Sequence, residues 1–581
     1  MTEAYDLVIR GGAIVDGTGA TPYQADLAVN GDRIVAIGDI PGSGVAEIDA
    51  TGRIVTPGFV DVHTHYDGQI TWENRLAPSS DHGVTSVIMG NCGVGFAPCR
   101  PGDQELMVRL MEGVEDIPGV VMTEGVPWNW ETFPDYLDAL DKRHADVDFA
   151  AQIPHSPLRV YVMGERGLDE SPTAHDLTEM RRLTTEAIKA GALGVSTSHS
   201  IAHRFRDGRL APSVTTGEED VLALASGLRD AGTGVFQILP TYEVHPAEQF
   251  ELIRSIAQTA QRPVSFTFAQ SPMYPDGWRR TLADMERATR DGLEIRGQVM
   301  PRPIGTLFGL ELSLHPFAYS PSYRAIADLP LAEKVAAFRD PGMRQRLLSE
   351  TPEDPQEMFK MIISEKEMLF VLGDPPNYNP TPEESIGALA RAQGRDVNEV
   401  IYDALLLREG REILYRPFGN TIGESRFESA GANLLKHDNT VIGLGDGGAH
   451  YGMICDAAFT TYLLTYWLNK ATPGLRLGLA QAIKLLTSEP ANAVGLRDRG
   501  ILKPGFKADI NVIDLDRLHL HAPHVTYDLP AGGRRLSQKA DGYDATIVSG
   551  QITYRGGKPT GALPGRLQRY ARPDPEVARA A

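Results

Sequence analysis

Residues 58–68 read GFVDVHTHYDG, an apolar run that begins after the turn at Pro57-Gly58 and ends on two histidines one residue apart. Along a strand, residues i and i+2 point to the same side, so the side chains of His63 and His65 leave it together. Two imidazoles side by side suit a divalent metal, most often zinc. What those histidines serve depends on the fold around them. Upstream, YDLVIRGGAIVDGTG, ADLAVNGDRIVAIG and AEIDATGRIVTPG alternate or are β-branched and break at Gly or Asn-Gly, the texture of short antiparallel strands. The same texture returns far downstream in FKADINVIDLD and DATIVSGQITYRGG. One β-sandwich built from both termini, residues 1–57 and 496–563, accounts for both.

Between these ends, strand-like and helical patterns alternate. Apolar runs ending in small or polar residues occur at VTPGFVDVHTHYD, VTSVIMGNCG, VDFAAQIPH, ALGVSTSHS, GVFQILPT, PVSFTFAQ, LEIRGQVMPRP and TVIGLGDGGAH, with helical stretches such as TEMRRLTTEAIKAG and EQFELIRSIAQTAQ between several of them. Eight buried strands with intervening helices predict an α/β fold, a (β/α)8 TIM barrel over residues 58–495, with its chemistry at the C-terminal ends of the strands. His63 and His65 then stand in the barrel mouth. The stretch 304–439, between the seventh and eighth runs, is far longer than a loop and reads as an inserted subdomain or lid. The end of the chain, 564–581, is poor in apolar residues and reads as a loosely ordered tail.

Composition narrows the partners. Of 581 residues, 42% are hydrophobic, enough for a large core, and the net charge of −20 repels phosphate backbones and anionic membranes. Nucleic acid and membrane are therefore not expected partners; a small molecule is, and a chain of this size suits a symmetric homo-oligomer. The charged start MTEAYDLVIR is no signal peptide and no long apolar run follows, so a cytoplasmic location is expected. Cys92, Cys99 and Cys455 make no disulfide framework, which suits a reducing compartment.

GFVDVHTHYDG, GNCGVG (90–95), VIGLGDGGAH (441–450) and LTSEPANAVGLRDRGILKPGFKADINVIDLD (486–516) together resemble the amidohydrolase superfamily, and within it the N-acyl-D-amino-acid deacylases, or D-aminoacylases. The resemblance spans nearly the whole chain. It implies metal-dependent hydrolysis of a carbon–nitrogen bond, with one or two zinc ions. His63 and His65 match the first two metal ligands, Cys92 matches the cysteine ligand at the end of the second strand, and Asp446 matches the aspartate that binds metal and shuttles the proton at the eighth. His450, four residues further on, is a candidate for polarising a carbonyl or orienting Asp446. The sequence departs from the pattern at strands five and six, where the family places two histidines and FQILPT and FTFAQS have none. Gln237 or Gln270 is expected to occupy those places, and glutamine is a poor zinc ligand beside imidazole. ALGVSTSHS also lacks the lysine that binuclear members carbamylate.

Around these positions, His155, His199, His203 and His245 follow strands three to five, and Arg159, Arg204, Arg302 and Arg426 are cations able to meet a substrate carboxylate. Aromatic residues in VPWNWETF, PMYPDGW and HPFAYSPSY could line an apolar acyl pocket. The leading expectation is deacylation of an N-acyl-D-amino acid or related N-acyl compound by metal-activated water. Alternatives are a cyclic amide or imide hydrolase of hydantoinase or dihydroorotase type, and a metal-free barrel serving as a binding or scaffold protein.

Overall fold

The computed structural model describes residues 4–271, 273–353, 360, 365–419 and 427–569. At its centre, eight parallel strands follow one another around a barrel: β1 (Phe59–Asp61), β2 (Val84–Met89), β3 (Asp148–Pro154), β4 (Gly194–Ser198), β5 (Val235–Leu239), β6 (Val264–Thr267), β7 (Ile295–Val299) and β8 (Thr440–Ile442). Each matches one of the eight apolar runs. Every residue of β1, β2, β3, β4 and β8 is buried, which is why they read as continuous apolar runs rather than alternating ones. Neighbours pair in register, for example Ile153 with Val195 and Gln237 with Ser265.

No ladder joins β8 to β1 among the described residues; the seam is closed beyond the strand ends. There the Asp446 N–H donates to the His63 carbonyl at 3.1 Å and the His65 N–H donates to the Gly447 carbonyl at 2.8 Å. Glycine makes that approach feasible: a Cβ on Gly447 would meet the Tyr66 hydroxyl at 2.4 Å, and one on Gly448 would meet the His65 carbonyl carbon at 2.7 Å. Helices pack around the barrel with ordinary terminal chemistry, as in Ala174–Ala190, where Thr173 and Asp176 form a capping box and Gly191 ends the helix in the left-handed region.

Strands from both ends of the chain hydrogen-bond into one nine-stranded sheet. Ile54–Pro57 pairs with Ala4–Ile14 on one side and with Ile510–Ile513 on the other, in register Val55 with Val512. Leu7, Ile9, Val29, Val55, Ile510, Val512 and Ile547 form its core. The 304–439 stretch leaves the barrel after β7 and carries a three-stranded sheet of Ile304–Phe308, Leu414–Gly419 and Phe370–Val371. Its separate core includes Phe308, Phe338, Tyr402 and Leu414, with Phe338 stacked on Tyr402.

At the floor of the barrel, Asp148 at the start of β3 accepts from Arg499 Nη1 at 2.7 Å and pairs with Lys507. Arg499 also donates to Ser86 Oγ, Asp498 and Gln568 Oε1. The tail expected from residue 564 onward is corrected here in its first part. The Gly565 N–H donates to the Ala145 carbonyl and the Gln568 N–H to the Phe149 carbonyl, while Leu567 and Gln568 are buried, so the chain is held to 569 by the edge of β3. Residues 570–581 lie outside the described residues. Among the described residues no helix is long and apolar enough to cross a membrane.

Candidate active site

His63, His65, Cys92 and Asp446 converge just beyond the ends of β1, β2 and β8. His63 Nε2 lies 3.2 Å from Cys92 Sγ, and Asp446 Oδ1 lies 3.5 Å from Nε2 of both His63 and His65. A donor atom from each of His63, His65 and Cys92 falls within 4.8 Å of the other two. A tetrahedral ion with bonds of about 2.1 Å needs ligand atoms about 3.4 Å apart. The spacing and the imidazole–thiolate chemistry both fit a borderline-soft divalent cation.

Local backbone puts the donors there. Cys92 (φ 56°), Asp446 (φ 47°) and His450 (φ 51°) all sit in the left-handed region, where non-glycine residues are uncommon and cluster at functional sites. The Cys92 loop is braced by Asn91, whose amide donates to the carbonyls of Thr64 and Ile88, and by Gln152, which donates to Asn91 Oδ1. A Cβ on Gly93 would meet Thr197 Cα at 2.9 Å, so glycine there lets the loop lie against β4. Asp61, buried at the end of β1, accepts the His63 N–H at 3.1 Å.

Each ring of the histidine pair meets a polar group through its other nitrogen, His63 in a hydrogen bond and His65 at ion-pair distance. Gln298, from β7, places Oε1 2.7 Å from His63 Nδ1, and Glu115 places Oε1 3.4 Å from His65 Nδ1. With Nδ1 engaged in this way, Nε2 of each ring is the atom that faces the site and would give its electron pair to a cation in place of a proton. Burial lowers the pKa of His63, but the Cys92 sulfur and the Asp446 carboxylate outweigh it and hold it up at about 9. Burial opposes ionisation of Cys92 as well, and His63 and His65 nevertheless pull its thiol below the usual range. Asp446, despite burial, is held far below the carboxylate range by His65 and His63 and is ionised.

The remaining sequence candidates separate. Gln237 belongs to the site: its Oε1 accepts the Cys92 N–H at 3.0 Å, and its buried Nε2 has no hydrogen-bond partner. Gln270 turns back into its own loop, donating to the Pro275 carbonyl at 2.7 Å. His203 reaches the edge of the site from the loop after β4, close enough to feel the charges of Glu115, His450, His65 and Asp446, and burial pushes it down to about 4. His199 instead stands 3.5 Å from Thr216 Oγ1, near His155 and Asp220. His155 Nδ1 bonds Thr197 Oγ1, and His245 caps the helix Pro246–Ala260. The arginine expectations need correction. Arg302 is buried, paired with Asp456 and the Cys455 carbonyl and lying over the Tyr378 ring, so its guanidinium links the inserted subdomain to the barrel instead of facing a ligand. Arg159 pairs with Asp220, and Arg204 donates to carbonyls of its own loop. Arg426 lies outside the described residues.

Two site residues escaped the sequence reading, Gln298 and Glu115. Gln298 carried a signal, a polar residue inside an apolar strand run. Glu115 carried none, because it follows a helix in the long excursion between β2 and β3.

The profile of the amidohydrolase family matches residues 46–554. A D-aminoacylase of Alcaligenes xylosoxydans xylosoxydans is 36% identical over 197 residues, a match spanning 34% of this chain and only 38% of that enzyme. An N-acyl-D-glutamate deacylase of the same organism is 30% identical over 308 residues, 52% of this chain and 58% of the relative. Among solved structures, the N-acyl-D-glutamate deacylase of Bordetella bronchiseptica, complexed with zinc and a phosphonate mimic of the tetrahedral intermediate, superposes with a TM-score of 0.64 at 23% identity, covering 98% of this chain and 100% of that one. At that identity the likeness carries the fold.

Proposed function

This chain belongs to the amidohydrolase family, and on that premise we propose that it is a zinc-dependent hydrolase that deacylates N-acyl-D-amino acids or related linear N-acyl compounds. The observation that carries the reading is Asp446 Oδ1, 3.5 Å from both imidazole Nε2 atoms, beside the buried group of His63, His65 and Cys92 at the barrel mouth. The deacylase relatives support the substrate class.

His63 Nε2, His65 Nε2 and Cys92 Sγ would hold the ion, with Asp446 closing the set. Zinc bound there would lower the pKa of its water and polarise the scissile carbonyl. Asp446, ionised at neutral pH, takes the proton of the attacking water on its carboxylate and returns it to the leaving nitrogen. Gln298 and Glu115 keep the two imidazole lone pairs aimed inward, and Gln237 fixes the Cys92 backbone. β4 carries no lysine, which favours a single-ion site over a carbamate-bridged pair.

The test is amine release from N-acetyl derivatives of D-leucine, D-methionine, D-aspartate and D-glutamate and of their L-enantiomers, with zinc content measured on the same sample. Turnover with a preference for the D series is expected. A zinc-loaded chain that leaves every member intact refutes the assignment.

A further inference from the structure

We propose that Glu115 is a positioning residue that holds the rings of His65 and His450 through one carboxylate and thereby sets the affinity of the site for its cation. The proposal rests on the metal-dependent reading above. Glu115 ends the helix Gln104–Val114, on no barrel strand, yet it is only 1% exposed. A carboxylate so deeply buried needs partners. Its Oε1 faces His65 Nδ1 at 3.4 Å and its Oε2 faces His450 Nε2 at 3.5 Å.

The tautomers follow from that arrangement. Both nitrogens of His65 face carboxylates, Nδ1 that of Glu115 and Nε2 that of Asp446; a cation taking the electron pair of Nε2 leaves the ring proton on Nδ1, facing Glu115. His450 carries its proton on Nε2, and its Nδ1, buried and without a hydrogen-bond partner, is left as an acceptor beside the site. The corner that places the carboxylate is fixed by backbone as well. The His450 N–H donates to the Glu115 carbonyl. Next along the chain, Asp116, in the left-handed region at φ 52°, accepts from Ser313 Oγ and from the Gly452 N–H at 2.9 Å. Residues 115–116 thus tie the loop after β8, the inserted subdomain and the second histidine of the pair into one unit. The two histidines of the motif are held by different groups, a neutral amide for His63 and a carboxylate for His65, and a carboxylate raises the donor strength of the ring it holds more than an amide does.

The experiment is a zinc titration against a competing chelator for the wild type, Glu115→Gln and Glu115→Asp, with thermal midpoints and the kcat-to-KM split on whichever N-acyl substrate turns over. Glu115→Gln, with an amide that accepts on one side only, is expected to fold with a midpoint close to wild type. Its zinc affinity should fall about tenfold or more, and kcat should fall more than KM rises. Glu115→Asp, which keeps the charge but is too short to span both rings, should lie between. A Glu115→Gln protein that binds zinc as tightly as wild type overturns the proposal. If Glu115→Gln does not fold, Glu115→Asp decides in the same way, a several-fold loss supporting the role and an unchanged affinity refuting it. A wild type that binds zinc but hydrolyses no amide defeats the functional reading alone, since the affinity comparison still stands; a wild type that binds no zinc defeats both.

Discussion

The mouth and the floor of the barrel both concentrate buried charge, and they differ in how that charge is satisfied. At the floor, Asp148 takes Arg499, Lys507 and the Arg566 N–H, while Arg499 spends its donors on Asp148, Asp498, Ser86 and Gln568. At the mouth, Asp61 Oδ2, Gln237 Nε2 and His450 Nδ1 are buried without hydrogen-bond partners, while His65 Nδ1 and Glu115 Oε2 have only ion-pair contacts of 3.4 and 3.5 Å. Folded chains leave few such atoms, and their gathering in one place sets the mouth apart from the floor. Both regions contain a carboxylate held well below its ordinary range, Asp148 and Asp446, so a depressed pKa alone does not tell a brace from a site. Satisfaction does.

The sharpest break of this comparison is Asp446→Asn. Losing the proton carrier should lower kcat by about 10³-fold or more while the thermal midpoint stays near wild type; a variant retaining a tenth of the activity would remove Asp446 from the chemistry. Asp148→Asn should do the reverse. It leaves Arg499 and Lys507 without their shared anion and should cost about 3–5 kcal/mol in urea unfolding, with kcat per folded molecule unchanged. The same carboxylate gives the floor a pH signature. Burial would raise the Asp148 pKa, but Lys507 and Arg499 override it and bring it from 3.8 to about 2. A depressed pKa means stability that is complete above pH 3.8 and lost as pH falls toward 2, and Asp148→Asn should flatten unfolding profiles in that window. The smallest effect is expected for Gln237→Ala. Without the acceptor for the Cys92 N–H, zinc affinity should drop by about tenfold or less with no change in stability; no change in affinity would make Gln237 a bystander.

Much of this was readable in the sequence because it depends on local pattern. The eight strands announced themselves as apolar runs and His63 and His65 as an i, i+2 pair, while Asp446 was singled out only by the family resemblance of VIGLGDGGAH. The return of the C-terminal strands to the N-terminal ones followed from matching strand texture, read as one β-sandwich; that they share a single sheet came from the pairing of Ile54–Pro57 with Ile510–Ile513. What escaped depends on pairing across the chain. Arg302 reads as a free cation until Asp456 and Tyr378 are placed beside it, and Glu115 reads as one more helix-end acid until the fold sets it between His65 and His450. Gln237 and Gln270 looked equivalent at the ends of neighbouring strands; only loop geometry sends one to Cys92 and the other to Pro275.

The seam between β8 and β1 has a bearing on how such a barrel changes its trade. Its closing bonds run through the peptide groups of His63, His65, Asp446 and Gly447, while the side chains of three of those residues are the ones to which the proposed chemistry is assigned. Any side chain that tolerates the same backbone path leaves the clasp shut. The reactive equipment can therefore be exchanged without opening the hoop, and the architecture can outlive the reaction it currently serves.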